Sequence, residues 1–314
     1  MSVMTIRVSA RISAKTIAVV GDIHNQWSEA DGQALKALGV DLALFVGDIG
    51  NEAVGLVGQI AALDLPKAVI LGNHDAWYSA TEWGRKKCPY DRATEDRVQQ
   101  QLEALGEAHV GYGKLDFPAL GLTVVGGRPF SWGGSEWKNA DFYRHYYGVH
   151  SFDESLARLQ QAIDAAAYDH LIVMGHCGPT GLGAAPEDPC GRDWNPIGGD
   201  FGDPDLAAAI TYARARGKVV SLVTFGHMHH GLRHRSDQLR RRVHTGDADM
   251  LHLNAASVPR WVQVDGETHR NFSLVKIRGC RVERAALVWV DAGHRVIHNE
   301  VLFEGEEVSQ AAVS

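Results

Sequence analysis

The sequence predicts an α/β fold built on parallel strands, and three features carry that expectation. Short apolar runs alternate with stretches of helical periodicity up to about residue 230. Each apolar run ends in glycine followed by aspartate, asparagine or histidine, as a buried strand does when it delivers a polar side chain at its end. Beyond about residue 250, apolar runs follow one another in hairpin order.

Composition bounds the possibilities. A chain of 314 residues, 45% of them hydrophobic, can bury one large core. We expect residues 1–15 to form an N-terminal arm, 16–305 a single domain with an aromatic loop insertion at 126–150, and 306–314 a C-terminal tail. No window approaches 18 consecutive apolar residues and the first residues lack the apolar centre of an export signal, so no membrane segment is expected. Cys88, Cys177, Cys190 and Cys280 show no C-x-x-C spacing, which fits reduced thiols in a cytoplasmic protein. A net charge of −7 argues against wholesale coating of nucleic acid. The sixteen histidines are the more telling count, because several directly follow strands, where neutral imidazole can bind metal.

The elements follow in order. Thr16–Val20 is a strand running into Gly21-Asp22-Ile23-His24, whose Asp and His at i and i+2 can point to one side. Ser28, with Glu29 and Asp31 after it, caps a helix to about Leu38, and Asp41–Val46 returns as the second strand, ending in Gly47-Asp48. Asn51 caps a helix to about Leu63, and Lys67–Leu71 is the third strand, ending in Gly72-Asn73-His74-Asp75. Strand–helix–strand alternation of this kind implies parallel pairing, with ligands beyond the carboxyl ends of the strands. Residues 76–92 read as loop and Ala93–Leu105 as a surface helix. The strand Leu122–Val125 leads into a loop of glycines and aromatics, either packed surface or a lid on the substrate side. Asp153–Ala167 is a helix, Leu171–Met174 a strand ending in Gly175-His176, and Asp203-Pro204 opens a further helix. Val219–Phe225 ends in Gly226-His227-Met228-His229. Met250–Leu253, Asn271–Arg278, Arg281–Val290 and Arg295–Phe303 read as strands.

A single histidine after a strand is more often a packed residue than a ligand. Here five strand ends carry Asp22 and His24, Asp48, Asn73 and His74, His176, and His227 with His229. Carboxylates, imidazoles and one amide oxygen, without thiolate, suit manganese, iron or zinc. The set is too large for one ion and about enough for two that share a carboxylate, an arrangement matched to displacement at phosphorus.

The motifs Gly-Asp-Ile-His, Gly-Asp, Gly-Asn-His-Asp, Gly-His and Gly-His-Met-His resemble those of the calcineurin-like metallophosphoesterases, over residues 21–230. The resemblance implies a four-layer α/β/β/α sandwich with two mixed sheets and two divalent metal ions, most simply Mn2+, with Fe or Zn as alternatives. It implies that Asp22, His24 and His229 hold one metal, that Asn73, His176 and His227 hold the other, and that Asp48 bridges them. His74 then donates to the transition state or protonates the leaving oxygen. Asp48 is followed by Ile49-Gly50-Asn51 where protein phosphatases of this kind have Asp-Arg-Gly, and Asp75 stands where they have Glu, which steers the expectation away from protein phosphatases. The segments around Arg128, Arg192 and Arg260 make the chain similar to a branch of the family found in photosynthetic lineages.

The expected function is therefore metal-dependent hydrolysis of a small phosphorylated substrate, a phosphomonoester or phosphodiester, without membrane association. Arg128, Arg192 and Arg260 lie in loops near the site and either grip phosphate oxygens or form structural salt bridges. Arg233, Arg235, Arg240, Arg241 and Arg242 face one acid in sequence, Asp237, and raise a nuclease alternative, although no aromatic residues interleave with them for base stacking. The same residues also admit a nucleotide or cyclic-nucleotide phosphodiesterase, or a non-catalytic scaffold that keeps this fold.

Overall fold

The computed structural model describes residues 13–246 and 250–306. The expected arm up to residue 12 and the tail from residue 307 lie outside the described residues. In chain order the strands and helices are β1 (Lys15–Val20), α1 (Glu29–Ala37), β2 (Leu42–Phe45), α2 (Val54–Ala61), β3 (Lys67–Val69), α3 (Glu82–Lys86), α4 (Arg97–Leu105), β4 (Lys114–Phe117) and β5 (Leu122–Gly126). There follow α5 (Ala140–Tyr147), α6 (Phe152–Asp164), β6 (His170–Met174), α7 (Pro204–Ala215), β7 (Val219–Phe225), β8 (Val243–Thr245) and β9 (Leu251–Asn254). The chain closes with β10 (Trp261–Val264), β11 (Glu267–Arg278), β12 (Arg281–Val290) and β13 (Val296–Glu304).

Two mixed sheets result. The first has the order β13-β12-β11-β1-β2-β3, with β10 paired to β11; its β1, β2 and β3 are parallel and the rest antiparallel. The second has the order β4-β5-β6-β7-β9-β8, parallel from β5 to β9 with antiparallel strands at its two edges. The central strands are buried on both faces, and their alternation sorts the core into layers. Ile17 and Val19 of β1 face Ile172, Met174 and Leu222 between the sheets. Ala18 and Val20 face the other way, onto Leu35 of α1 and Ile60 of α2. On the outer side of the second sheet, Leu171, Val173 and Val223 pack against Leu159 and Ile163 of α6 and Leu206 and Ile210 of α7. The order is thus helices, sheet, sheet, helices.

Several elements depart from expectation. The aromatic insertion at 126–150 is not only loop: α5 places Phe142 and Tyr143 in the core beside Phe130. Residues 76–92 contain the short α3, and the next helix starts at Arg97 rather than Ala93, where the Asp96 side chain accepts from Gln99 N–H at 2.9 Å. Asn51 does not cap α2, whose first turn follows Ala53 with no side-chain cap. Strands β4, β8 and β10 are additions to the expected set. Of these, β10 forms a hairpin with β11 through Asp265-Gly266, both with positive φ (51° and 84°), a turn signal the sequence carries openly.

Buried histidines give the fold an acid-sensitive component. On β9, His252 is 6% exposed, and its Nδ1 has no partner among the described residues. Burial, and then the neighbouring His244, lower its pKa to about 4. The unfolded chain therefore takes up this proton first as pH falls, so the stability is present above about pH 6.5 and is lost between there and pH 4. Denaturant unfolding of metal-stripped protein at pH 7.5 and 5.5 should show a loss of about 1 kcal/mol from this group. In His252→Leu that part of the loss should vanish.

Candidate metal centre

The chain delivers its polar residues by turning sharply at the ends of β1, β2 and β7. Asp22, His24, Asp48 and His227 all adopt positive φ, at 48°, 44°, 53° and 66°, a conformation that costs a residue with a side chain about 1 kcal/mol or more and collects at functional sites. Glycines allow the loops to close up. A Cβ on Gly72 would lie 2.5 Å from both Asp48 N and His176 Cε1, and one on Gly47 would lie 2.6 Å from His176 Nδ1. Backbone bonds knit the loops together, with His24 N–H donating to Asp48 O at 2.8 Å and Asp22 N–H to Gly47 O at 3.1 Å.

Every strand-end residue singled out in the sequence reaches this rim, in two groups. Asp22, His24 and His229 form one, with His24 Nε2 and His229 Nε2 3.0 Å apart and His229 Nε2 3.7 Å from Asp22 Oδ1. Asn73, His176 and His227 form the other: Asn73 Oδ1 is 2.9 Å from both His176 Nε2 and His227 Nδ1, and those nitrogens are 3.2 Å apart. Asp48 stands between the groups. Its Oδ1 is 3.2 Å from His176 Nε2, and its Oδ2 is 4.0 Å from both His24 Nε2 and His74 Nε2.

The donor chemistry tests whether cations fit. His176 is fully buried, and its Nδ1–H donates to Val46 O at 2.8 Å, which turns the lone pair of Nε2 toward Asn73 and Asp48. Lone pairs of buried acceptors then face each other at about 3 Å, which repels unless a cation lies among them. An octahedral shell of radius about 2.1 Å has edges of about 3.0 Å. These spacings, two oxygen-and-nitrogen sets and one carboxylate aimed at both fit two cations. Burial alone would raise the pKa of Asp22, but the hydrogen bond and charge of His229 outweigh it and hold that carboxyl well below the ordinary range. Cys177 is no competitor, since burial pushes its thiol up and the sulfur packs 3.5 Å from Ser131 O.

His74 has a separate setting. Its backbone N–H donates to Asp48 Oδ1 at 2.8 Å, and its ring stacks on Trp77 with centroids 4.4 Å apart. Its Nδ1 lies 2.7 Å from Asn51 Oδ1, an oxygen that can only accept, so Nδ1 carries the proton and Nε2 faces Asp48. Burial lowers the pKa of His74, and the Asp48 carboxylate partly offsets it. Asn51, expected as a helix cap, therefore orients this histidine.

Two further residues support the site in a way their motifs do not reveal. Asp75 is buried and accepts backbone N–H groups of Ile49 at 2.9 Å, Gly50 at 3.2 Å and Gly72 at 2.7 Å, so it joins the loop of Asp48 to that of Asn73 and His74. Asn254 donates to Met228 O at 2.7 Å and fixes the loop between His227 and His229. Asp75 follows β3 and Asn254 ends β9, but an Asp and an Asn turned inward to backbone look in sequence like any other turn residue.

The three loop arginines divide. Arg128 is not available to substrate: it is 2% exposed, with Nη2 2.6 Å from Asp203 Oδ1 and Nε 2.9 Å from Asp205 Oδ2. Arg260 is likewise buried, donating to Gln26 O at 3.0 Å and Asn271 O at 2.9 Å. For these two the structural alternative holds, because each loop must neutralise carboxylates or carbonyls that burial would leave unpaired. Arg192 is half-buried beside a cavity. The arginine run is also largely committed, with Arg235 paired to Asp237 and Glu187, Arg240 buried against Asp193, Arg241 paired to Asp188 and Arg242 to Glu300. That removes the free basic stripe on which the nuclease alternative rested.

Five strand ends from two sheets, converging as two sets of oxygen and nitrogen donors around one shared carboxylate, define a hydrolytic metal-site protein of α/β sandwich type. The sequence matches the calcineurin-like phosphoesterases over residues 15–231, more than half of its length. The chain belongs to that family and is a metal-dependent phosphoester hydrolase. No curated protein matches the sequence. Among solved structures it is similar to a dimetal phosphatase from Danio rerio, at 12% identity and TM-score 0.46, covering 94% of this chain and 100% of that one. It is also similar to a purple acid phosphatase from yellow lupin, at 12% identity and TM-score 0.44, covering 92% of this chain and 53% of that one. A third likeness is to GAP50, the anchor in the inner membrane complex of Plasmodium, at 13% identity and TM-score 0.46, covering 93% and 90%. Likenesses at this level carry no functional argument. Among the described residues, no helix is long and apolar enough to cross a membrane.

Proposed function

We propose that the protein hydrolyses a small phosphate ester at a dinuclear centre, in which Asp22, His24 and His229 hold one ion, Asn73, His176 and His227 the other, and Asp48 both. The observation that carries this is the position of Asp48, with one oxygen toward each donor set. Manganese suits the mixed oxygen and imidazole donors, with iron or zinc as the alternatives. When bound, such a pair supplies positive charge to the attacking and leaving oxygens and acidifies water.

The protein's own groups do the rest. The bond to Val46 fixes Nδ1 of His176 as the donor and leaves Nε2 for the centre, and burial keeps His227 neutral, holding its pKa well below the ordinary value. His74 works from Nε2: protonated there, it gives its proton to the leaving-group oxygen and returns to the neutral tautomer that Asn51 holds at Nδ1. The ring of Trp77 stacked on the imidazole keeps that nitrogen aimed at the centre. The scaffold alternative is disfavoured by the presence and convergence of all eight residues. The four cysteines are free, which favours a reducing, cytoplasmic location.

Manganese-loaded protein should hydrolyse an aryl phosphate or a bis-aryl phosphate, and the ester preferred settles monoesterase against diesterase. His74→Ala should lower kcat by about 10²-fold or more with little change in metal content. An unchanged kcat would remove His74 from the chemistry.

A further inference from the structure

The loops at 131–138 and 190–201 border a cavity of about 310 Å3 whose lining includes Lys138, Arg192, Phe201, Glu136 and Asp200. The volume sits at the small end of ligand pockets, which run from about 300 to 1,000 Å3. Both cations lie against one aromatic ring, with Lys138 Nζ 4.6 Å and the Arg192 guanidinium 5.6 Å from the centroid of Phe201. Stacking of this kind holds a cation in place while leaving its N–H groups free. Among the described residues Lys138 donates only to Gly133 O, at 3.1 Å, and Arg192 Nε only to Gly198 O, at 3.0 Å. The remaining ammonium protons and the terminal guanidinium N–H groups find no acceptor among the described residues. Among the described residues neither acid lining the cavity forms an ion pair with them. Asp200 spends Oδ2 on Gly181 N–H at 2.5 Å and Oδ1 on Gly202 N–H at 2.8 Å, and Glu136 is solvent-exposed.

Two chains of contact tie this cavity to the metal centre. On one side, Gly133 lies against Cys177, the neighbour of His176: a Cβ on that glycine would be 3.3 Å from the sulfur. On the other side, Asp193, next to Arg192, accepts from Arg233 N–H at 2.8 Å and lies 3.3 Å from Arg240, whose Nε donates to His229 O at 2.9 Å. Arg233 adds a third cation at this rim. Its guanidinium lies 5.4 Å from the ring centroid of Trp194, which itself packs on Phe201 at 4.8 Å, and it has no ion-pair partner among the described residues.

We propose that this cavity is a subsite for a second anionic group, so that the substrate is a small phosphate ester carrying a further phosphate or carboxylate, gripped by Lys138 and Arg192 while its scissile phosphoryl group lies at Asp48. The substrate assignment rests on the phosphoesterase function proposed above; the anion site itself does not. Bidentate guanidinium contact with an added ammonium recognises a phosphate or carboxylate and offers nothing to a neutral sugar or aryl group.

Two measurements test it separately. Inorganic phosphate titrated into metal-stripped protein by calorimetry should bind saturably, and the double variant Lys138→Met, Arg192→Gln should bind it about tenfold more weakly or worse, with an unchanged melting temperature. No binding, or equal binding by both proteins, overturns the anion site. In the manganese-loaded enzyme, the ratio of kcat/KM for a sugar bisphosphate to that for an aryl phosphate should fall about tenfold in the same variant. An unchanged ratio overturns the substrate assignment even where phosphate binds. Hydrolysis of no ester with any metal defeats the phosphoesterase function, and the phosphate titration still decides whether the cavity binds anions.

Discussion

Asp48→Asn is expected to lower phosphate-ester hydrolysis by about 10³-fold at saturating manganese while leaving the fold intact. The backbone at Asp48 has φ 53°, and asparagine is among the residues best tolerated in that left-handed conformation, so the substitution introduces no new strain. What changes is the charge and one of two oxygens. Oδ1 faces His176 and also accepts the backbone N–H of His74, and Oδ2 faces His24 and His74. An amide presents a donor to whichever cation loses its oxygen, and it no longer offsets the repulsion between two cations. Steady-state kinetics beside thermal melting check this, and a loss below about tenfold would remove Asp48 from the centre of the mechanism.

Arg128→Met should cost about 3–5 kcal/mol of folding stability, the typical result of removing one partner from a buried ion pair. The guanidinium neutralises both Asp203 and Asp205, and it lies 5.2–5.6 Å from the ring centroids of Trp137, Tyr143 and Phe152. Its loss would leave two carboxylates at the start of α7 buried without a cation. Burial already pushes Asp203 up to about 6 despite Arg128, so in the variant the Asp203 carboxyl should take up a proton and the deficit should shrink on mild acidification. Urea unfolding at pH 7.5 gives the loss directly. Adding Asp203→Asn to Arg128→Met should restore part of it, whereas a single-variant loss below about 1 kcal/mol would mean the pair is not structural.

The parts of this protein legible in its sequence are those in which local pattern and tertiary role coincide. Gly-Asp at residues 47–48, Gly-Asn-His at 72–74 and Gly-His at 175–176 and 226–227 follow apolar runs because the turn that ends each strand is also the turn that aims a polar side chain at the shared rim. The sandwich follows from the same strand order. Roles decided by a distant partner are not legible. Asn51 looks like a helix cap but orients His74, and Arg128 and Arg260 look like phosphate grips but are absorbed by groups far along the chain. In the same way, the run from Arg233 to Arg242 meets Glu187, Asp188, Asp193 and Glu300 only once the chain is folded. The helix in the aromatic insertion is hidden because its stabilisation comes from Phe142 and Tyr143 entering the core rather than from a capped, strongly helical segment; Asn139 before it makes no side-chain cap.

The central claim is that one carboxylate serves two metal sites, and metal content per chain tests it most directly. After reloading with manganese and removal of excess, wild-type protein should carry two ions per chain, Asp22→Asn should lose mainly one, and Asp48→Asn should bind both weakly. A single ion in the wild type, or equal loss in the two variants, would contradict the bridging role of Asp48.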